Sequence, residues 1–118
     1  MSPLLGFTKL LPALLDGTKT QTIRVPRKRP IEADEWLYVY WKLRTKDCYF
    51  IGLARTLSVQ RIMFAEITDE IARRDGFVDR TACIRGLLLL HPTLIGSDEL
   101  DVIRFEWVQG PYAKEAAT

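Results

Sequence analysis

Lys19, Thr20, Thr22 and Arg24 bring an amine, two hydroxyls and a guanidinium together within six positions of the chain. Such groups, held on a rigid support, bind an anion or a carbonyl oxygen. The support is legible on either side of them. Pro12-Ala13-Leu14-Leu15 reads as a helical turn with proline at its first position, where a missing N–H is no loss, and Gly17 supplies the left-handed residue that ends it. Thr20, Thr22, Ile23 and Val25 favour the extended state, so residues 18–25 read as a strand closed by Pro26. In a regular strand Thr20, Thr22 and Arg24 share one face, and Gln21, Ile23 and Val25 the other. One side docks on a core while the polar groups converge, and Lys19, in the turn, escapes the alternation.

Charge is concentrated beside this stretch. Arg24, Arg27, Lys28 and Arg29 lie within six positions that hold no acid, although the whole chain carries a net charge of only +2. A basic loop there attracts a phosphate backbone; it also reads as a solvated surface loop. The chemistry available elsewhere is limited. His91 is the only histidine, and Cys48 and Cys83 stand 35 positions apart, outside any short metal spacing. Neither a metal nor a cofactor is expected; the cysteines read as buried free thiols and His91, before Pro92, as a helix cap. No apolar run approaches the roughly 20 residues of a membrane helix, and no secretory signal opens the chain, so a cytoplasmic protein is expected; the sequence does not fix the oligomeric state, and a monomer is the expectation.

With 118 residues and 47% hydrophobic composition, the chain makes one domain over 1–118, with its core at about 4–108 and a fraying tail at 109–118. Leu4, Leu5, Phe7, Leu10 and Leu11 cover a core edge, with Pro3 and Gly6 arguing against a regular element there. Residues 35–43 form the strongest strand, with Leu37, Val39, Trp41 and Leu43 on one side and Trp36, Tyr38 and Tyr40 on the other. The aromatic side suits either base stacking or the packing of a closed barrel. Residues 48–53 return as the second half of a hairpin and continue extended to Phe64, with Gly52 marking a close approach or a bend. Thr68 then caps a helix with acids in its first turn, Arg73 and Arg74 in its last, and Gly76 after it. A second helix runs from Asp79 to His91, and residues 100–108 close the domain as a strand. The pattern is α+β: a small mixed β-barrel with two to three short helices.

The string Gly17-Thr18-Lys19-Thr20-Gln21-Thr22-Ile23-Arg24 resembles the signature of ASCH domains, a family within the PUA-like group of small β-barrels. Glu32-Ala33-Asp34 before a strand, Asp75-Gly76-Phe77 between two helices, and the closing residues 101–107 follow in the family's order, so the likeness spans about 12–108. The resemblance implies a PUA-like fold and a cleft that binds RNA or a modified nucleoside. Thr20, Arg24, Gly76 and Phe77 would line it, while Arg24, Arg27, Lys28 and Arg29 track a nucleic-acid backbone. One bacterial subgroup of the family hydrolyses the acyl amide of N4-acetylcytidine. By that resemblance Lys19 is the base, Thr22 the nucleophile and Asp75 the acid. That subgroup usually has glutamate where this chain has Asp75, which shortens the carboxylate's reach by one methylene. Ribonuclease activity is a third reading, with no histidine pair or dense carboxylate cluster behind it. A protein partner docked on Trp36, Tyr38 and Tyr40 is a fourth.

Overall fold

The computed structural model describes residues 3–7 and 11–112, so the expected fraying of residues 113–118 lies outside the described residues. Its elements in order are β1 (Leu4–Phe7), α1 (Leu11–Leu15), β2 (Gln21–Arg24), β3 (Trp36–Trp41), β4 (Tyr49–Met63), a 3-10 turn (Phe64–Glu66), α2 (Asp69–Arg74), α3 (Arg80–Leu90) and β5 (Glu99–Gln109). The strands form one mixed sheet in the order β1-β3-β4-β5-β2. It is a five-strand half-barrel with three helices, the α+β architecture the sequence pattern predicts.

The long middle of the sheet follows from β-branched and aromatic content with alternating burial. β4, 15 residues, pairs antiparallel with β3 on one side and β5 on the other, and its register shifts near Val39/Tyr40, Leu53/Ala54 and Thr56/Ser58. Those shifts are bulges, and they bend the strand so that one sheet can curve. Gly52 stands at such a bend, where a Cβ would collide with the Gln109 carbonyl oxygen, as the sequence leads one to expect.

Both faces of the sheet are buried. One packs Leu5, Phe7, Leu37, Val39, Ile103 and Phe105 together, with Leu14 of α1. The other packs Ile23, Ile62, Leu100 and Val102 against Ala72, Cys83 and Leu87 of the helices. β5 therefore has a core on each side, and Arg104 is where its helix-facing row turns polar.

β1 is an element that Pro3 and Gly6 argue against. It pairs parallel with β3, Leu4 opposite Tyr38 through Phe7 opposite Trp41. Gly6 is tolerated in it because a Cβ there would press on Leu43 at 3.1 Å. β1 and β2 are the two edges of the half-barrel, and no backbone ladder joins them. Two guanidinium groups reach across instead: Arg24 Nη2 donates to Gly6 O at 2.7 Å and Arg27 Nη2 to Leu4 O at 2.6 Å. Side chains thus satisfy alternate carbonyls of an edge strand that would otherwise face no partner.

Candidate functional site: a cleft at the seam

The motif residues sit at this seam. Asp16 builds the turn that delivers them: its Oδ1 accepts from Thr18 N at 2.8 Å and from Thr18 Oγ1 at 2.7 Å, while Gly17 takes a left-handed φ of 79°. Lys19, next in the chain, is turned inward and only 4% exposed.

Asp75 reaches the same point from α2. Thr68 Oγ1 accepts from Ile71 N at the helix start. At its end Gly76 N donates to Arg73 O and Phe77 N to Ala72 O, both at 3.0 Å, with Gly76 at φ 101°. That pair of bonds is a Schellman motif, and it fixes Asp75 as the C-cap of the helix, with its side chain buried. A carboxylate at a helix C-terminus has the unfavourable sign for the helix dipole. Lys19 offsets it.

The Lys19 amine is fully engaged. Nζ donates to Gln21 O at 2.8 Å and to Asp75 O at 2.7 Å, and stands 3.6 Å from Asp75 Oδ2. The main-chain oxygen of Asp75, not its carboxylate, makes the short bond. Gln21 Nε2 donates to Ile71 O at 3.0 Å and more weakly to Asp75 Oδ1 at 3.5 Å. Burial pushes the Lys19 ammonium down and the Asp75 carboxyl up, and in each case it outweighs the attraction between them. Two effects on the same pair thus oppose each other, and the dry surroundings dominate because the carboxylate contacts are long.

Thr22 and Arg24 make a second unit. Arg24 Nε donates to Thr22 Oγ1 at 2.9 Å, and the guanidinium lies 4.7 Å from the centre of the Phe7 ring. Burial first, and the charge of Arg27 second, push Arg24 down to about 10, which still leaves it charged at neutral pH. Lys19 and Thr22 make no hydrogen bond with each other. Lys19 and Arg24 stand against Asp75 alone, so basic groups outnumber acids in the site.

Between these units and α3 opens a cleft of about 180 Å³. Phe7, Phe77, Leu87 and Leu90 give its apolar walls, and Lys19, Thr22, Arg24 and Asp75 its polar ones. Gly86 makes room for Phe77, since a Cβ there would stand 2.9 Å from the ring. Of the residues expected to bind, Lys19, Thr22, Arg24, Asp75 and Phe77 come together here. Thr20 and Gly76 do not; they face a separate groove on the other side of Lys19. Arg27 is spent on β1, and Lys28 and Arg29 line a shallow surface depression with Pro3 and Leu4.

Three contributors are absent from the motif. His91 caps α3, as its place before Pro92 suggests, but also stands on the cleft wall. Phe7 arrives through the parallel pairing of β1. Cys83 is fully buried beneath the site, where burial and then the Asp75 charge push its thiol up to about 12, so it stays neutral. A separate sequence signal for the cleft wall is Gly86, because glycine in a helix interior is unfavourable by about 1 kcal/mol and implies a close neighbour, here Phe77. Cys48, expected buried, is only half-buried; both thiols are free. No group of three or more metal-ligating side chains occurs among the described residues.

The arrangement can be set beside known structures. An ASCH domain from Lactobacillus crispatus JV V101 superposes with a TM-score of 0.63 at 14% identity, over 92% of this chain and 80% of that one. The fold is that of an ASCH domain. A DUF984 family protein from Enterococcus faecalis V583 is similar in the same way, with a TM-score of 0.68 at 14% identity over 100% of this chain and 86% of that one. The sequence matches no family model and no curated protein. At such identities the ASCH fold is what is shared. No helix among the described residues is long and apolar enough to cross a membrane.

Proposed function

We propose that the cleft binds the edge of a single nucleobase, carried by a modified nucleoside or by an unpaired nucleotide of RNA. The observation that carries this reading is the pairing of opposite hydrogen-bonding characters in a small, half-apolar space. The Asp75 carboxylate accepts, the Thr22 hydroxyl and Arg24 donate, and the volume of about 180 Å³ is below the ~300–1,000 Å³ of sites for drug-sized ligands. One heterocycle matches that size. A cytosine-type edge offers an exocyclic amine to the acid and carbonyl or ring-nitrogen acceptors to the donors. Phe77, half-buried on the wall, supplies a ring for stacking, worth about 1–3 kcal/mol per base. The basic loop, tied to β1 by Arg27, carries Lys28 and Arg29 beside Pro3 and Leu4, and those two side chains suit a phosphate backbone.

A second reading, hydrolysis of the acyl amide of N4-acetylcytidine, is favoured by one observation: the buried Lys19 is pushed toward its neutral form, as a base must be. Against it, Nζ has no contact with Thr22, and Thr22 Oγ1 is occupied by Arg24. The binding reading is therefore the conclusion. Its test is titration of cytidine, N4-acetylcytidine and a short single-stranded RNA, with acetate release assayed in parallel. Saturable binding without acetate supports the binder, and RNA binding that weakens with salt supports the role of the basic loop. Acetate release that Lys19→Ala abolishes would replace it with the hydrolase, and no binding by any of the three ligands would remove both.

A further inference from the structure

The groove on the far side of Lys19 has a volume of about 410 Å³ and meets the cleft only at Lys19. Its walls come from three places in the chain: Thr18 and Thr20 in the turn before β2, Arg73 and Arg74 at the end of α2, and Arg104 of β5. The groove holds polar groups that the fold leaves without a partner. Arg104 is half-buried and has no hydrogen bond or ion pair among the described residues. The Thr20 hydroxyl has none either. Gln21 lies opposite Arg104 in the β2–β5 ladder, lines the same groove and is 1% exposed. Its Nε2 is fixed by Ile71 O and Asp75 Oδ1, which sets the amide orientation and leaves Oε1 without a partner.

Arg73 and Arg74 complete the basic wall. Their acid partners lie one turn back on α2, Asp69 at 4.0 Å and Glu70 at 2.9 Å, and all four side chains are exposed. Exposed pairs of this kind are weak and exchange readily for a stronger anion. Guanidinium forks match phosphate oxygens in geometry as well as charge. The buried amide oxygen adds a different requirement, since it must receive a proton from an O–H or N–H, which a fully ionised phosphate lacks.

We propose that this groove is a second binding site, for a phosphate group carried on a hydroxyl-bearing sugar, with Arg104 as the principal anion contact and Gln21 Oε1 as the hydroxyl acceptor. The proposal does not depend on what occupies the cleft. Two sources share this chemistry, a free sugar phosphate and the ribose-phosphate backbone of an RNA strand.

The test is titration of the full chain with inorganic phosphate, ribose 5-phosphate and a short single-stranded RNA, followed by amide NMR. Saturable shifts at the Thr20 and Gly76 amides are expected, with ribose 5-phosphate binding more tightly than inorganic phosphate. Arg104→Gln, at a half-buried position and checked for an unchanged unfolding midpoint, should weaken the sugar phosphate at least about tenfold, and Arg104→Lys should recover part of that. If RNA affinity and its salt slope fall with Arg104→Gln, by about one unit of slope per lost phosphate contact, the backbone is the source. If ribose 5-phosphate alone responds, the source is the free compound. The proposal is overturned if none of the three ligands moves Thr20 and Gly76, or if Arg104→Gln leaves every affinity unchanged.

Discussion

Asp75 and Asp101 are both buried aspartates that face a basic side chain, and they are held in opposite ways. Asp101 lies in the β4–β5 ladder directly opposite Arg61, which grips both carboxylate oxygens, Nε at 3.0 Å and Nη2 at 3.3 Å. Asp75 lies at a helix end and receives only long contacts, 3.5 Å from Gln21 and 3.6 Å from Lys19. Asp101 is a strut whose hydrogen-bonding needs are met within the fold. Asp75 is buried at comparable depth with its needs half met, in a cleft where basic groups outnumber acids. On the proposed reading Asp75 is the working acid and Asp101 the structural one, and the two differ in how completely the fold satisfies them.

The difference can be broken by substitution. Lys19→Met should have the largest effect, because it removes the charge that offsets Asp75 and the donor to two main-chain oxygens. A loss of about 3–5 kcal/mol in urea unfolding is expected, as for one partner of a buried pair, together with loss of nucleoside binding. Asp75→Asn should separate the two roles: Lys19 keeps both short bonds to carbonyl oxygens, so the loss of stability should be smaller than for Lys19→Met, while nucleoside binding falls about a hundredfold, as for a lost hydrogen bond to a charged group. Asp101→Asn should do the reverse, lowering the unfolding midpoint with nucleoside binding intact. If Asp101→Asn weakened binding as much as Asp75→Asn, the distinction between the two acids would be lost.

Gly86→Ala sharpens the account of the cleft wall. The added methyl displaces the Phe77 ring, and overpacking of about 1–3 kcal/mol is partly offset by the roughly 1 kcal/mol gained in helix propensity. The protein should fold with a small net loss and bind nucleosides severalfold more weakly, by calorimetry.

The smallest expected effect is on pH dependence. Burial raises the Asp75 carboxyl above its ordinary 3.8, so the folded chain holds a proton that the unfolded chain has already released. The stability this contributes is full below 3.8 and is lost as pH rises through the higher folded value. Relative to Asp75→Asn, the parent should therefore become less stable on going from acid toward neutral pH. Parallel unfolding midpoints for the two proteins across that window would contradict the direction.

Much of this arrangement is legible where the chemistry is local. The Thr68 cap, the arginines of the last turn and Gly76 announce α2 and its end, and so place Asp75. The turn at Asp16-Gly17 and the β-branched run after it place Lys19 and Arg24. β1 is hidden because its partner β3 lies some thirty residues on and its own short span holds a glycine, so neither length nor periodicity marks it. Phe7 is hidden with it, and so is the structural use of Arg24 and Arg27, which follows from a half-barrel whose two edges face each other. His91 reads as a cap from its proline neighbour, and no local feature tells that the end of α3 overlooks the cleft. Thr20 shows where spacing stops being informative: it shares the motif with Thr22 and Arg24, yet it lies in the turn before β2 begins and lines the groove, not the cleft.

The most direct test of the cleft is amide NMR of the parent and Asp75→Asn proteins during titration with cytidine and N4-acetylcytidine. Saturable shifts at Phe77, Gly86 and His91 are expected in the parent and are lost in Asp75→Asn, with both proteins folded at the temperature of the titration. Shifts that persist unchanged in the variant, or a parent that responds to neither nucleoside, would contradict this reading of the cleft.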